Sequence, residues 1–338
     1  MKGKFSVACV GAGYFSRFHL DAWARIEGAQ VVGVADQNLG AARATGFPAF
    51  EDAASLIDAV KPDIVDIILP PASHREAVQV ALSRDVKTVI CQKPFGASLA
   101  EAKTLVKEAK EAGTLLIVHE NFRFMPWYRT IKEQLEAGAI GRVLQASFRL
   151  RPGDGQGPQA YLDRQPYFQK MQRFLIEETA VHWIDTFRFL LGPQRSLYAD
   201  LRQLNPVIAG EDAGIVIFEH DEGVRALFDG NRLLDHASDN QRRTMGEALF
   251  EGTTGTLTLF GDGRVEHRPF GETTSTVVHP SNIWDGFGGD CVFALQSHVV
   301  RGLQGDGHIE NTAQEYCDVL RVRDAIYKSA ETNMKVQL

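Results

Sequence analysis

Cysteine is scarce in this chain. Only Cys9, Cys91, Cys291 and Cys317 occur among its 338 residues, and no two of them stand close together or at the spacing of a metal site. This scatter predicts free thiols in a reducing cytoplasm rather than a disulfide framework. Because neither paired cysteines nor a zinc-protease His/Glu motif occurs, we expect no bound metal.

The chain also lacks basic runs and long apolar runs. The net charge is -7 at pH 7 with no Lys/Arg-rich stretch, which argues against nucleic acid or an anionic membrane as a partner. No apolar run reaches about 18 residues, so we expect no transmembrane helix. Lys2 and Lys4 precede a short apolar run, but this run leads directly into a glycine turn and does not resemble a signal peptide.

A short segment near the start of the chain carries the strongest motif. Residues 5–10 predict a buried strand, and Gly11-Ala12-Gly13-Tyr14-Phe15-Ser16 follows at once and opens a helix. Gly11 allows a tight turn, and Gly13 lets the backbone approach a pyrophosphate at the helix N-terminus. Ser16 stands where Gly or Ala is usual, a small deviation. Taken alone, this pattern also fits an ordinary strand-to-helix turn.

The residues after the turn favour a dinucleotide site. Residues 30–35 predict a second strand, and Asp36 ends it at the distance where a dinucleotide-binding βαβ unit needs an acid for the adenosine ribose. Gln37 and Asn38 offer no cation for a 2′-phosphate, so NAD is favoured over NADP. We assign Tyr14 and Phe15 to the same cofactor site.

The segment up to about residue 122 alternates strands with helices. Helices are predicted over 51–60, 74–84 and from a Ser98/Glu101 capping box to 113, with strands over 64–69, 86–91 and 114–118. This rhythm predicts an α/β fold with a doubly wound parallel sheet, whose ligands bind at the carboxyl ends of the strands. His74, Lys93 and the segment 119–123 follow such ends.

The rhythm changes beyond residue 125. A helix over 126–137, a strand over 142–151 and a Gly/Pro-rich loop over 152–158 precede Tyr161, Arg164, Tyr167 and Arg173, which either recognise a polar ligand or cover the core. A helix is predicted over 177–191, with Glu178 and His182 on one face. The short strands that follow predict an antiparallel sheet: 196–203, 214–219, 225–228, 248–251, 257–260 and 274–279. Helices over 287–302 and 310–330 close the chain.

The order of these motifs resembles the glucose-fructose oxidoreductase, inositol dehydrogenase and rhizopine-catabolism family, written Gfo/Idh/MocA. The motifs are the glycine turn, Gln92-Lys93-Pro94, Asn121-x-Arg123-Phe124, Gly138-x-x-Gly141-Arg142, Glu178-x-x-x-His182 and the closing segment 322–330. The resemblance implies a Rossmann NAD-binding domain over 1–122. It also implies a substrate-binding and oligomerisation domain over 123–338, with an open, mainly antiparallel sheet that supports a homodimer or homotetramer.

Two residues depart from the family pattern. Gln92 replaces the usual Glu before Lys93, which should leave the lysine less strongly held in its charged form, and Glu178 replaces a common Asp. Hydride transfer to nicotinamide requires a base for the hydroxyl proton. We expect His182 to be that base, Glu178 to orient it and Lys93 to bond the same substrate oxygen.

Several other residues have two plausible roles. We assign Arg123, Tyr161, Arg164 and Asp185 to substrate binding, although Arg123 can instead anchor the structure and Asp185 can orient the histidine. His74 and Lys93 are assigned to the cofactor site. His74, His119 and Glu120 are weaker catalytic candidates, since a polar residue after a strand often only satisfies a helix end.

The main functional hypothesis is an NAD-dependent dehydrogenase of a sugar, polyol or sugar acid, with a small carbohydrate-like molecule as partner. A second hypothesis is an enzyme that keeps NAD bound and recycles it during isomerisation, epimerisation or glycoside cleavage. A third is a regulatory protein that senses NAD and has lost the chemistry.

Overall fold

The computed structural model describes residues 3–284 and 286–338. These residues form two compact units, the first from Met1–Asn121 and Cys291–Leu320, the second from Phe122–Asp290 and Arg321–Leu338. The first boundary lies one residue from the predicted one. Residues 291–320, however, belong with the first unit, whereas the sequence placed all of 123–338 in a second domain.

The first unit contains a six-stranded parallel sheet in the order β3-β2-β1-β4-β5-β6, which is the dinucleotide-binding order. Its strands are β1 (Phe5–Val10), β2 (Ala29–Ala35), β3 (Ala49–Phe50), β4 (Ile64–Ile67), β5 (Thr88–Gln92) and β6 (Leu115–His119). The four residues of β4 are fully buried, as expected for a strand covered on both faces. The predicted Rossmann fold is confirmed.

Helices connect these strands, and their starts follow the capping rules. They are α1 (Ser16–Arg25), α2 (Leu39–Ala44), α3 (Ala53–Val60), α4 (His74–Leu82) and α5 (Leu99–Ala112). The Ser98 hydroxyl accepts a hydrogen bond from the Glu101 N–H at 3.2 Å, and Glu101 reaches back to the Ala97 N–H at 3.1 Å. The predicted capping box is therefore present, one residue longer than the standard form.

The second unit is built on a sheet of nine strands in the described part of the chain, in the order β14-β13-β12-β11-β7-β10-β9-β8-β15. Among the described strands of this sheet only β7 and β10 pair in parallel, so the prediction of a mainly antiparallel sheet is confirmed. The strands are β7 (Val143–Leu150), β8 (Gln194–Arg202), β9 (Ala213–His220), β10 (Arg225–Asn231), β11 (Gly246–Gly252), β12 (Gly255–Leu259), β13 (Val265–Pro269), β14 (Thr276–His279) and β15 (Val336–Gln337).

Two helices, α6 (Pro126–Glu136) and α7 (Val181–Leu191), belong to the same unit. Trp183 of α7 stacks on Phe148 of β7 with ring centroids 4.2 Å apart, and Phe187 contacts Phe218 of β9 at 6.0 Å. These aromatic contacts hold α7 against one face of the sheet. The chain before α7 differs from the predicted single helix over 177–191, because Leu175–Ala180 forms a π-helical turn.

The last helices are α8 (Cys291–Gln304) and α9 (Ala313–Thr332). The Arg25 guanidinium of α1 lies 4.5 Å from the Phe293 ring of α8. The Val118 N–H of β6 donates to the Asn311 carbonyl at 2.9 Å. These contacts explain why 291–320 joins the first unit. Within the residues described, none of the helices is long and apolar enough to cross a bilayer.

Phe148→Ala should lower the free energy of unfolding by about 3–5 kcal/mol, because it removes a buried ring and leaves a cavity beneath Trp183. Phe270→Ala is the control, because this ring is 79% exposed and its loss should change stability by less than about 0.5 kcal/mol. Urea unfolding followed by circular dichroism measures both. Equal effects of the two substitutions would contradict this description of the core.

Candidate active site

The turn between β1 and α1 requires glycine at its first position. Gly11 has φ +110°, and a Cβ atom placed there would lie 2.4 Å from the Ile68 carbonyl oxygen. The Gly11 N–H donates to the Ala35 carbonyl at 2.7 Å. Gly11 therefore lets the turn pass closely between the ends of β2 and β4.

Gly13 leaves open space beside the turn. A Cβ atom there would meet nothing within 4 Å, and no side chain caps the N-terminus of α1. Uncapped N–H groups beside an open space are what a pyrophosphate needs. Ser16, the deviant third position, is buried, and its hydroxyl donates to the Gly13 carbonyl at 2.6 Å. The deviation is thus accommodated, and the turn fits NAD.

Asp36 lies against this turn. Its Oδ2 accepts a hydrogen bond from the Ala12 N–H at 2.7 Å, and its Oδ1 accepts one from the Asn38 N–H at 2.8 Å. Each carboxylate oxygen has a further lone pair for a ribose hydroxyl. Tyr14 is 47% exposed, and Arg17 donates to its hydroxyl at 2.8 Å. The structure thus places Gly11, Asp36 and Tyr14 around one turn.

Lys93 is half-buried directly after β5, and the peptide bond that follows it is cis. His74 contacts the backbone of this segment. The His74 ring nitrogens lie 3.0 Å from the Pro94 carbonyl oxygen and 2.7 Å from the Leu69 carbonyl oxygen. Burial, and secondarily the Lys93 cation, lower the pKa of His74.

The contacts of the His74 side chain are structural, and its assignment to the cofactor site stays a prediction. The side chain is fully buried and both ring nitrogens face backbone carbonyls. It connects the turns after β4 and β5 rather than presenting a polar atom to a ligand. His119 is likewise buried, and its Nδ1 lies 3.2 Å from Gln92 Nε2. Its weaker catalytic assignment stays a prediction.

His182 lies on α7, where Phe122 fixes its ring. The two rings are stacked, with centroids 3.7 Å apart and planes 3° from parallel. The side chain is 6% exposed. Stacking of this kind restricts rotation of the imidazole and leaves its nitrogens at the ring edge, where a general base must present them.

Glu178 belongs to the π-helical turn that precedes α7. The prediction that Glu178 and His182 share one face of a regular α-helix is thus corrected, because the chain changes its hydrogen-bonding pattern between them. Glu178 accepts a hydrogen bond from the Thr179 hydroxyl at 3.1 Å. Burial, and then the Glu178 carboxylate, raise the pKa of Tyr167. π-Turns are frequent at functional sites.

Arg123 and Asp185 form a bidentate ion pair. The guanidinium Nε donates to Oδ2 at 2.8 Å and Nη2 donates to Oδ1 at 2.6 Å. The side chains are 14% and 2% exposed, respectively. This geometry supports the structural alternative for Arg123. The guanidinium engages one lone pair of each carboxylate oxygen, and the assignment of these two residues to substrate binding stays a prediction.

The loop over 152–158 is fixed by a buried charge cluster. Arg232 donates to both oxygens of Asp154 at 3.2 and 2.8 Å, to the Tyr161 hydroxyl at 2.8 Å and to the Thr179 hydroxyl at 2.6 Å. Arg164 donates to Asp154 at 3.2 Å. Burial would raise the pKa of Asp154, but Arg232 and Arg164 lower it below its usual value.

Tyr161 serves the core, which was one of the two roles left open. Its ring is 4% exposed and packs with Phe168, Phe174 and Ile208. Asp154, Thr179 and Arg232 were not among the predicted site residues. No local motif marks them, since they meet only when β10 and the loop fold together.

Gly11→Ala should reduce stability, whereas Gly13→Ala should weaken cofactor binding. Gly11→Ala should lower the unfolding free energy by more than about 1 kcal/mol, because its Cβ meets Ile68 and its φ is strained. Gly13→Ala should leave stability unchanged but raise the NADH dissociation constant at least about tenfold, because its methyl group enters the space for the pyrophosphate. Urea unfolding and NADH fluorescence titration measure the two effects. Unchanged NADH binding by Gly13→Ala would argue against this cofactor site.

Asp185→Asn should lower the unfolding free energy by about 3–5 kcal/mol, because it leaves a buried guanidinium without its charge partner. Asp221→Asn is the matched control, since Asp221 forms an exposed bidentate pair with Arg195 and its loss should change stability little. If Asp185→Asn leaves the unfolding curve unchanged and only raises KM, Asp185 binds substrate instead.

The comparisons with known families agree with this geometry. Residues 5–120 match the model of an oxidoreductase family with an NAD-binding Rossmann fold. Residues 128–258 match the GFO/IDH/MocA C-terminal domain. The two matches lie in the two halves of the chain to which the sequence assigned cofactor and substrate binding.

Two relatives match nearly the whole chain and belong to the same class of enzyme. The chain is 34% identical to a D-apiose dehydrogenase of Paraburkholderia graminis over 99% of this chain and 90% of that protein. It is 30% identical to a D-apiose dehydrogenase of Rhizobium rhizogenes over 98% of this chain and 96% of that protein.

A solved structure is similar over the same length. It is an oxidoreductase from Agrobacterium radiobacter in complex with NAD+, L-tartaric acid and magnesium, with a TM-score of 0.89 and 28% identity over 99% of this chain and 98% of that one. The predicted resemblance, fold and cofactor are confirmed. The chain belongs to the Gfo/Idh/MocA family and is an NAD-dependent oxidoreductase.

Proposed function

We propose that this NAD-dependent oxidoreductase of sugars and polyols acts on D-apiose or an aldose of similar size. The observation that carries the proposal is the match to two D-apiose dehydrogenases over at least 98% of this chain. Because the match spans both units, it includes the segments that bear Lys93 and His182. An oxidation of this kind removes a hydride from a hydroxyl-bearing carbon, and bound nicotinamide supplies the acceptor.

We propose His182 as the group that receives the hydroxyl proton. A general base acts through an unprotonated atom within hydrogen-bond reach of the substrate oxygen. The Phe122 stack holds the His182 ring in one plane, so the direction of its nitrogens is set before substrate binds. Glu178 remains the proposed acidic partner that stabilises the cationic form of the ring, although the π-turn alters the predicted spacing.

We propose that Lys93 stabilises the negative charge that develops on the substrate oxygen. The residue follows β5 at the carboxyl edge of the parallel sheet, where open α/β sheets bind their ligands. A cation held at such an edge lowers the barrier because the charge on oxygen is greater in the transition state than in the bound alcohol.

A cavity of about 460 Å³ in the second unit supports recognition of a hydroxylated ligand. Its lining includes the carboxylate, amide and guanidinium groups of Asp154, Gln156, Gln159, Asp163 and Arg164, together with Tyr161, Ala160 and Leu162. This volume is within the range of small-molecule sites. We retain Arg164 as a proposed substrate-side residue, whereas Asp154 and Arg232 hold the Tyr161 hydroxyl and its ring belongs to the core.

The protein should reduce NAD when it is mixed with D-apiose, and Lys93→Ala or His182→Ala should lower kcat by about 10²–10⁴-fold. Absorbance of NADH measures this directly. Lys87→Ala and His308→Ala are matched controls, because both side chains are exposed and lie outside the proposed site. Their kcat should equal that of the parent. Equal activity of all four variants would contradict the assigned roles.

The other functional hypotheses give different results in the same assay. Product formation without net NADH, lost when NAD is stripped, would favour the recycled-cofactor enzyme. If no NADH or product forms with sugars, polyols or sugar acids, and a protein partner binds in an NAD-dependent way, the regulatory protein would be favoured.

We propose that the protein forms a homodimer or homotetramer through the second-unit sheet. One row of side chains runs across the face opposite α7 in the register Tyr198, Ile217, Leu227, Ser147 and Leu249. Tyr198 and Ile217 are 39% and 40% exposed. Four of these five side chains are apolar, which supports contact with a second copy. The buried thiols Cys9, Cys91 and Cys317 support the cytoplasmic location predicted above.

Ile217→Lys should shift the protein toward monomer, because a charge in the row must be desolvated when a second copy covers it. Sedimentation velocity measures the change. Lys107→Glu, on an exposed face of α5, is the control that alters charge elsewhere. An Ile217→Lys protein that sediments like the parent would contradict this interface.

A further inference from the structure

The Gln92 side chain lies between two buried imidazoles. Its Nε2 is 2.8 Å from His19 Nε2 and 3.2 Å from His119 Nδ1. Its Oε1 accepts a hydrogen bond from the Lys93 N–H at 3.2 Å. His19 and His119 are at most 1% exposed, and Gln92 is 8% exposed.

Donor and acceptor rules determine the protons of this cluster. A backbone N–H can only donate, so the Lys93 N–H fixes the carbonyl end of the Gln92 amide and directs its NH₂ group at both histidines. An NH₂ group can only donate, so His19 Nε2 and His119 Nδ1 carry lone pairs. Both rings are then neutral, with the remaining proton of His19 on Nδ1 and that of His119 on Nε2.

Asp66 completes the cluster on the far side of His19. Its Oδ2 accepts hydrogen bonds from His19 Nδ1 and from Trp23 Nε1, each at 2.7 Å, and from the Gln296 amide at 3.3 Å. Burial opposes ionisation of Asp66, but His19 and Trp23 outweigh it and lower the pKa. Burial lowers the pKa of His119 to about 3, in agreement with a neutral ring.

The remaining titratable groups near Asp66 are thiols. Cys9 of β1 and Cys91 of β5 are fully buried, and burial, then Asp66, raise the pKa of each. They stay protonated at neutral pH. On the side of Lys93, His74 is the nearby ionisable group, with its pKa lowered. These groups therefore add no second negative charge beside His19.

We infer that Gln92 is a positioning residue for Lys93, held by a chain of neutral histidines that ends on the Asp66 carboxylate. The amide transmits the fixed geometry of His19 and Asp66 to the Lys93 backbone without adding a charge beside the lysine. The role given to Lys93 rests on the proposed function, whereas the proton arrangement does not depend on it.

A carboxylate at position 92 would require a different proton arrangement. A glutamate side chain accepts at both oxygens and donates at neither, so His19 Nε2 and His119 Nδ1 would each have to donate. His19 would then donate from both nitrogens, to Asp66 and to the introduced carboxylate, and would be an imidazolium. The Gln92→Glu protein should therefore bind one additional proton in its folded state, and His119 should move its proton from Nε2 to Nδ1.

Histidine-ring NMR of the full-length, ¹⁵N-histidine-labelled protein tests this arrangement without a substrate. His19→Asn and His119→Asn assign the signals, and the exposed His308 is the internal reference for a ring in water. Between pH 6 and 9 the parent should show His19 as the neutral Nδ1–H tautomer, and Gln92→Glu should show it doubly protonated. A doubly protonated His19 in the parent, or the same His19 state in both proteins, would overturn the inference.

Stability against pH gives a second measurement. In Gln92→Glu, the folded-state pKa of His19 should be raised above its unfolded value. The extra stabilisation is then full below the unfolded value, near 6.5, and is lost as the pH rises through the folded value. The stability of Gln92→Glu relative to the parent should decline with pH, whereas that of Gln92→Met should not. Parallel pH curves for all three would contradict the additional proton.

Hydrogen exchange of the Lys93 amide tests whether Gln92 positions this residue. Gln92→Met removes the acceptor for the Lys93 N–H, so hydrogen exchange of that amide should accelerate at least tenfold, and Gln92→Glu should restore its protection. Gln296→Met is the matched control, because it removes a donor to Asp66 but leaves the Gln92–Lys93 bond. Unchanged Lys93 exchange in Gln92→Met would overturn the positioning role.

Kinetics then separates positioning from stability. With D-apiose, Gln92→Met should lower kcat about tenfold or more with an NADH dissociation constant within about twofold of the parent, and Gln296→Met should lose stability but retain kcat. Equal kcat losses in both variants would show a merely structural effect. A parent protein that does not reduce NAD would contradict the proposed function, and the ring and exchange measurements would still decide the role of Gln92.

Discussion

A carboxylate buried in the middle of a parallel sheet is the constraint on which the first unit depends. Asp66 lies on β4 with no exposed surface, and an isolated charge in that position would be strongly destabilising. The chain brings donors to it from α1 and from α8, namely His19, Trp23 and Gln296. The ion is therefore stabilised only when these elements are assembled.

This requirement connects the sequence to the architecture. Gln296 is 230 positions from Asp66, yet its helix belongs to the same unit as β4. The same carboxylate orients His19, which contacts Gln92, which in turn bonds the backbone of Lys93. A buried ion and the proposed catalytic lysine are thus joined by three hydrogen bonds, and rigid support of this kind holds functional groups in place.

The second unit depends on a buried cation instead. Arg232 is 2% exposed and makes hydrogen bonds to the loop residue Asp154, to Tyr161 and to Thr179 of the π-turn. Its guanidinium also lies 4.9 Å from the Phe174 ring. The loop over 152–158 and the π-turn before His182 are therefore ordered by one side chain. A glycine-rich loop is flexible by itself, and this cluster fixes it.

Features carried by local patterns could be predicted from the sequence. The glycine turn, Asp36, the alternation of strands and helices and the Ser98 capping box depend on residues close in the chain, and each appears in the structure. The prediction of a single helix over 177–191 was wrong. Its side-chain periodicity does not reveal that Leu175–Ala180 widens into a π-turn, where the buried Glu211 carboxylate accepts from the N–H groups of Phe174 and Ile176.

The site residues also fall into those that a local motif marks and those whose role depends on distant partners. Lys93 and His182 follow from motifs, but the roles of Arg123, Asp185, Tyr161 and His74 depend on partners remote in sequence, such as the 62 positions between Arg123 and Asp185. One clue was present: Asp66 interrupts an otherwise apolar strand. A charge in such a position requires a buried partner, and His19 is the partner that the fold provides.

The most direct test of the account is to follow the hydrogen that leaves the substrate. The protein would be mixed with NAD and D-apiose deuterated at every C–H position, and the NADH would be analysed by mass spectrometry and NMR. Direct hydride transfer should place one deuterium at C4 of the nicotinamide per oxidised sugar. NADH without deuterium, or a converted sugar that has regained its deuterium with no net NADH, would contradict it.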